Sequence, residues 1–181
     1  FVKLPNISHD AEEGGDSSSI WQYRHLVFGV VAIFLYVGIE VSIGGFLVNF
    51  FGESSIAGMS EEVAGNYVSY YWGGAMVGRF IGSAILQKMK AQTLLTISSI
   101  GALLLVITTL LTTGSVAMWA ILLVGLCNSV MFPNIFTLSI KGVGKHTSRA
   151  SGLLVMAIVG GAIIPVIQGM LADSIGVQPS F

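Results

Sequence analysis

Between Lys90 and Lys141 the chain runs for fifty residues without one charged side chain. An α-helix rises 1.5 Å per residue and about 20 apolar residues cross a bilayer core. Fifty residues are too many for one crossing and suit two, and Thr112-Thr113-Gly114-Ser115 supplies the turn between them. Strands are excluded, because no alternation with period two is present and barrel strands need only about 9–11 residues. The composition agrees: 54% of the 181 residues are hydrophobic and 9% are charged, against about 25% charged in a soluble domain. A water-exposed surface cannot be built from so few polar groups, so the chain is read as all-α and polytopic in a membrane.

The remaining charge-free stretches complete the pattern. Glu40 is the only charge from Leu26 to Phe51, Arg79 the only one from Val63 to Gln87, and Ala150 to Ala172 has none. Five transmembrane helices are therefore predicted, at about 25–51, 66–87, 91–112, 116–140 and 150–172. Placing the N-terminus inside puts Lys3, Arg24, Lys88, Lys90, Lys141, Lys145 and Arg149 inside and leaves segments 52–65, 113–115 and 173–181 outside without Lys or Arg. That asymmetry follows the positive-inside rule. Residues 1–24 are expected to form a disordered cytoplasmic linker, since Asp10, Glu12, Glu13, Asp16 and three consecutive serines offer nothing to bury. No signal peptide is read there, because a basic start followed by an apolar stretch is missing.

Several signals carry little. Asn6-Ile7-Ser8 matches a glycosylation sequon on the cytoplasmic side. Gly142-Val143-Gly144-Lys145 lacks the earlier glycine and the following Ser or Thr of a phosphate loop, having Ser139 and His146 instead. Neither the three histidines nor the lone Cys127 forms a metal-ligand or catalytic set, and a net charge of −1 gives no basis for nucleic-acid binding. No enzyme activity and no cofactor are expected.

The polar residues inside the spans are more informative. Glu40 lies about 15 residues into the first span, roughly 22 Å from its inner end. A carboxylate at that depth faces a partner or a water-filled cavity, or else it is protonated. Tyr36 precedes it by one turn and Gly44-Gly45, where a helix can unwind, follows by one turn; Asn49 lies further along the same span. In the second span Gly74, Gly78 and Gly82 form a close-packing stripe beside Arg79, read as structural or gating. Asn66 and Tyr67 stand at its outer end, at a cavity mouth or in the interfacial belt. Asn128-Ser129-Val130-Met131-Phe132-Pro133-Asn134 combines an amide, an aromatic ring and a helix-bending proline, which is chemistry suited to a sugar or to helix packing. Gly160-Gly161, Pro165, Gln168 and Gly169 interrupt the last span in the same manner, and such interruptions are pointers to transporter sites.

Four segments carry a resemblance. Tyr36-Val37-Gly38-Ile39-Glu40-Val41-Ser42-Ile43-Gly44, Gly78-Arg79-Phe80-Ile81-Gly82, Phe132-Pro133-Asn134-Ile135-Phe136-Thr137-Leu138-Ser139-Ile140-Lys141-Gly142 and Val155-Met156-Ala157-Ile158-Val159-Gly160-Gly161 resemble, in order, the C-terminal half of the fucose:proton symporter family of the major facilitator superfamily. The resemblance runs from about Trp21 onward. It implies helices 7–11 of a twelve-helix plasma-membrane transporter, with residues 25–181 a partial bundle. It also implies alternating access to a monosaccharide site, driven by a coupling proton or sodium, with the N-terminal half and last helix as partners.

By position, Tyr36, Glu40, Asn66 and Phe132 would line the sugar cavity; Asn49 and Asn128 join them as substrate-binding candidates, and Arg79, Pro133, Gly44 and Gly45 as gating or structural ones. Glu40 stands where an amide occurs in fucose carriers and so fits the hexose-carrying branch. Asn134 replaces the threonine expected after the proline. The proton-coupling acids of the family would lie in the N-terminal half. With its two ends on opposite sides of the membrane, the chain is expected to be a piece of one a little over twice as long. The alternative is a self-contained five-helix channel, scaffold or assembly subunit.

Overall fold

A computed structural model describes residues 20–181; the acidic stretch within the expected linker lies outside the described residues. Seven helices follow in order: α1 (Arg24–Gly52), α2 (Glu61–Leu86), α3 (Ala91–Leu111), α4 (Gly114–Asn128), α5 (Met131–Ile140), α6 (Thr147–Met156) and α7 (Gly160–Ile175). They make five crossings, because α4 with α5, and α6 with α7, are broken halves of single spans. Taken whole, α1, α3, Gly114–Ile140 and Gly144–Ile175 are each long and apolar enough to cross a membrane. The remaining helix, α2, is 26 residues long, about 39 Å at 1.5 Å per residue, and packs among them against α4 and α1.

The bundle is held by α3 on α4, α1 on α7, α2 on α4, and α1 on α5. The glycine stripe of α2 explains one of these contacts. A methyl on Gly78 would fall 2.6 Å from the Leu126 carbonyl oxygen and against the Ser129 hydroxyl, and one on Gly82 would strike Val130. Only glycine lets α2 approach the α4–α5 junction so closely, as small residues do between membrane helices.

Two apolar cores fill the interior. One, near the α1–α2 loop, gathers Ile43, Leu47, Phe50, Phe51, Tyr71 and Ile121; the other, toward the opposite end, gathers Leu26, Ile33, Tyr36, Ile135, Val143 and Leu154. The outside is equally apolar: Leu103, Leu104, Leu111, Met156 and Met170 are exposed. In water such a surface would drive association, whereas lipid tails solvate it.

The broken span differs from the sequence expectation in one respect. Pro133 does not sit at the break; the helix stops at Asn128, a full turn earlier, and resumes at Met131. The proline then occupies the first turn of α5, where its missing N–H breaks no intrahelical bond. Its effect falls on the acceptor four residues back, the Ser129 carbonyl. In α1, by contrast, Gly44-Gly45 causes no unwinding: the helix is continuous from Arg24 to Gly52, and Gly44 instead makes room for the Trp72 ring.

Candidate functional site

At the α4–α5 break the carbonyls from Leu126 to Ser129 lose their helical donors, and buried carbonyls in a membrane need replacements. The Ser129 hydroxyl donates to the Leu126 carbonyl at 2.7 Å, and side chains from two other helices reach Asn128 and Ser129. The Tyr36 hydroxyl of α1 donates to the Asn128 carbonyl at 2.8 Å, and Arg79 Nε of α2 donates to the Ser129 carbonyl at 3.3 Å. The Asn128 amide in turn donates to the Tyr71 hydroxyl at 3.2 Å, and Tyr71 reaches the Glu40 backbone carbonyl at 3.5 Å. Three helices thus meet in one polar layer lying between the two apolar cores.

Beside that layer is a cavity of about 470 Å³ lined by Glu40, Trp72, Ala75, Met76, Arg79, Phe80 and Ser83. Its α2 wall is a stripe at helical spacing, since residues three, four and seven apart share a face. Trp72 and Phe80 expose much of their rings there. A carboxylate accepts hydrogen bonds only and a guanidinium donates only, so Glu40 and Arg79 between them can engage a ligand's hydroxyl groups of either sense. The indole and phenyl rings offer flat apolar surface beside those polar groups. This is the combination a small polyhydroxylated ring requires: a few placed polar groups within a largely apolar and aromatic wall.

A second cavity of about 510 Å³ lies between α1, α3 and the broken span, lined among others by Tyr36, Ile43, Leu95, Leu103, Asn128 and Phe181. It is larger but suits a sugar poorly. The Tyr36 hydroxyl proton and the Asn128 carbonyl are already bonded to each other, leaving a wall that is nearly all hydrocarbon.

The residues singled out from the sequence fall into three groups. Glu40 and Arg79 share the polar cavity, while Arg79 also holds the break. Tyr36, Asn128 and Phe132 come together: Tyr36 bonds Asn128, and its ring lies 6.5 Å from that of Phe132, which stacks on Phe136. Tyr36 and Asn128 are both buried, however, so they brace the site from behind its wall. Asn49 and Asn66 are exposed and line neither of the two cavities. Asn134 is buried with its side-chain nitrogen lacking a hydrogen-bond partner among the described residues. Sequence reading missed Trp72, Met76, Phe80 and Ser83. Their spacing around Arg79 was the available signal, obscured because aromatic and Met stripes on helices are ordinarily core.

No family model matches the chain. It is 51% identical to a glucose/galactose transporter of Brucella abortus, aligning over all of this chain and 44% of that protein. A crystal structure of the E. coli fucose:proton symporter superposes with a TM-score of 0.86 at 28% identity, covering 95% of this chain and 43% of that one. A crystal structure of a major facilitator superfamily transporter in the outward conformation gives 0.83 at 28% identity, over 87% and 38%. The chain therefore spans less than half the length of the curated relatives it matches, and those relatives are transporters rather than enzymes. By sequence and fold alike, the chain is similar to the C-terminal part of sugar transporters of the major facilitator superfamily, the fucose:proton symporter among them.

Proposed function

We propose that this chain forms one wall of a monosaccharide site in a cation-coupled plasma-membrane transporter, with a hexose such as glucose or galactose as substrate. The observation that carries this reading is the cavity in which Glu40, Arg79, Trp72 and Phe80 converge. Glu40 and the guanidinium of Arg79 hydrogen-bond the sugar hydroxyls, and Trp72 and Phe80 pack against its C–H face. The N-terminus faces the cytoplasm, as the distribution of basic residues favours. The partner is the N-terminal part of the same transporter, which closes the cavity from the other side and rocks against this bundle in alternating access. The coupling ion is a proton, by likeness to the fucose:proton symporter.

The test is sugar counterflow in proteoliposomes containing the full-length transporter. A hydrogen bond to a charged group is worth about 1.5–3 kcal/mol, so Glu40→Ala should weaken glucose or galactose binding about 10- to 100-fold. Trp72→Ala should also weaken it, whereas Asn66→Ala should not. Uptake that follows a sodium gradient at constant pH would replace the proton with sodium. Unchanged sugar affinity in both Glu40→Ala and Trp72→Ala would remove the cavity from the reading.

A further inference from the structure

Beneath the lysine-rich end of the bundle, sharing no lining residue with the Glu40 cavity, is a cleft of about 690 Å³ between the start of α3 and the end of α5. Lys90, Ala91 and Gln92 form one wall; Thr137, Leu138, Ile140 and Lys141 form the other. Both lysines are exposed, and neither has an ion-pair partner among the described residues. None can come from nearby sequence, because no Asp or Glu occurs between Glu62 and Asp173. The acids among the described residues lie at Glu40 in mid-span or at the opposite end, at Glu53, Glu61, Glu62 and Asp173. No side chain caps the first turn of α3 either, and that turn holds no acidic residue. The cleft thus joins two cations from different helices with no compensating anion among the described residues.

We infer that this cleft binds the phosphate of an anionic phospholipid, Lys90 and Lys141 gripping the headgroup from opposite sides. Basic pockets between transmembrane helices at the cytoplasmic surface have this preference, since that leaflet carries the anionic lipids. A lipid is favoured over a soluble phosphate by what lies beneath the charges. Leu138 and Ile140 line the cleft itself, and one turn deeper Leu95 and Ile135 line the apolar cavity between α1 and α3. An acyl chain attached to a headgroup held there would have the Leu138 and Ile140 side chains to pack against. The inference concerns a surface separate from the sugar cavity and stands or falls without it.

The test uses the full-length transporter purified from phosphatidylethanolamine vesicles doped with phosphatidylglycerol, with retained lipid counted by native mass spectrometry. Phosphatidylglycerol should be enriched over phosphatidylethanolamine. One surface Lys contributes about 1 kcal/mol toward an anionic membrane, which corresponds to about fivefold. Lys90→Gln and Lys141→Gln should each reduce retention about fivefold, and the double variant about 25-fold. Lys88→Gln, in the same loop but outside the cleft, should leave it unchanged, and circular dichroism of each variant verifies folding. Equal retention of neutral and anionic lipid, or a loss in Lys88→Gln as large as in Lys90→Gln, overturns the proposal. Displacement of the lipid by soluble glycerol phosphate at matched concentration would assign the cleft to a free phosphate and overturn the lipid assignment.

Discussion

Gly160 sits where α7 crosses α1, and replacing it tests how the bundle is held together. A methyl group at Gly160 would coincide with the carbonyl oxygen of Phe34 and lie 2.7 Å from its carbonyl carbon and 3.0 Å from its Cα. Ordinary contacts begin near 3.4 Å, so the two backbones must part by about 0.7 Å or more. No rotamer change can relieve the clash, because everything struck is backbone. A radial gap of about 0.5–1 Å forfeits a quarter to a half of each dispersion contact along the opened seam. Overpacking of this kind costs about 1–3 kcal/mol, and the rigidity of the obstacle places Gly160→Ala near the upper end, at about 2–3 kcal/mol. The better helix propensity of Ala returns at most about 1 kcal/mol where unfolding melts the helix.

Two neighbours act as internal controls. At Gly161 the added methyl meets the Val37 and Val41 side-chain methyls at 3.1 and 3.3 Å, which can give way; at Gly152 it meets nothing within 4 Å. Equilibrium unfolding of the full-length protein in mixed micelles should rank Gly152→Ala at or above wild type, Gly161→Ala slightly below, and Gly160→Ala lowest by about 2 kcal/mol. If Gly160→Ala and Gly152→Ala unfold within about 0.5 kcal/mol of each other, the close approach of α1 and α7 is wrong.

Two further outcomes follow from the hydrogen bonds. Arg79→Gln leaves the Ser129 carbonyl without its guanidinium donor, and an orphaned buried acceptor costs about 1–3 kcal/mol. Opening of the break should therefore become about 5- to 150-fold more frequent, and alkylation of Cys127, one residue before Asn128, should accelerate; an unchanged rate means that Arg79 does not hold the break. Gln178 donates to the Thr109 and Thr112 carbonyls, both at 2.7 Å, so Gln178→Ala should free residues 176–181 from the end of α3. Amide exchange there should rise about tenfold, equivalent to about 1.4 kcal/mol, and exchange at the wild-type rate would show the two bonds to be dispensable.

Much of the fold was legible because it rests on solvation by lipid, which acts on runs of residues. Charge-free stretches marked the crossings, and the glycine spacing in α2 marked a close approach without naming its target. The breaks were less legible. Pro133 signalled that a carbonyl would be released, but the position of the break depends on Tyr36 and Arg79, 97 and 54 residues away in sequence, arriving from other helices. The site was half legible for the same reason. Glu40 announces itself by the cost of its burial, whereas Trp72 and Phe80 look like ordinary lipid-facing residues until α1 sets Glu40 beside them. Asn49 and Asn66, singled out as amides within spans, lie exposed near helix ends and line neither the Glu40 cavity nor the cavity between α1 and α3.

The polar layer at the α4–α5 break also acts as a vernier. Apolar helix faces in a lipid environment can slide or rotate past one another at little cost, because one methyl contact replaces another. A slip of α1 or α2 by one turn would move Tyr36 or Arg79 about 5.4 Å along the bilayer normal, stranding a carbonyl in hydrocarbon. Only one vertical alignment of the three helices therefore satisfies Asn128, Ser129 and Tyr71 together. Mutations in the apolar cores on either side should loosen the bundle without changing that alignment, whereas loss of the polar layer should yield helices of unchanged length in shifted registers.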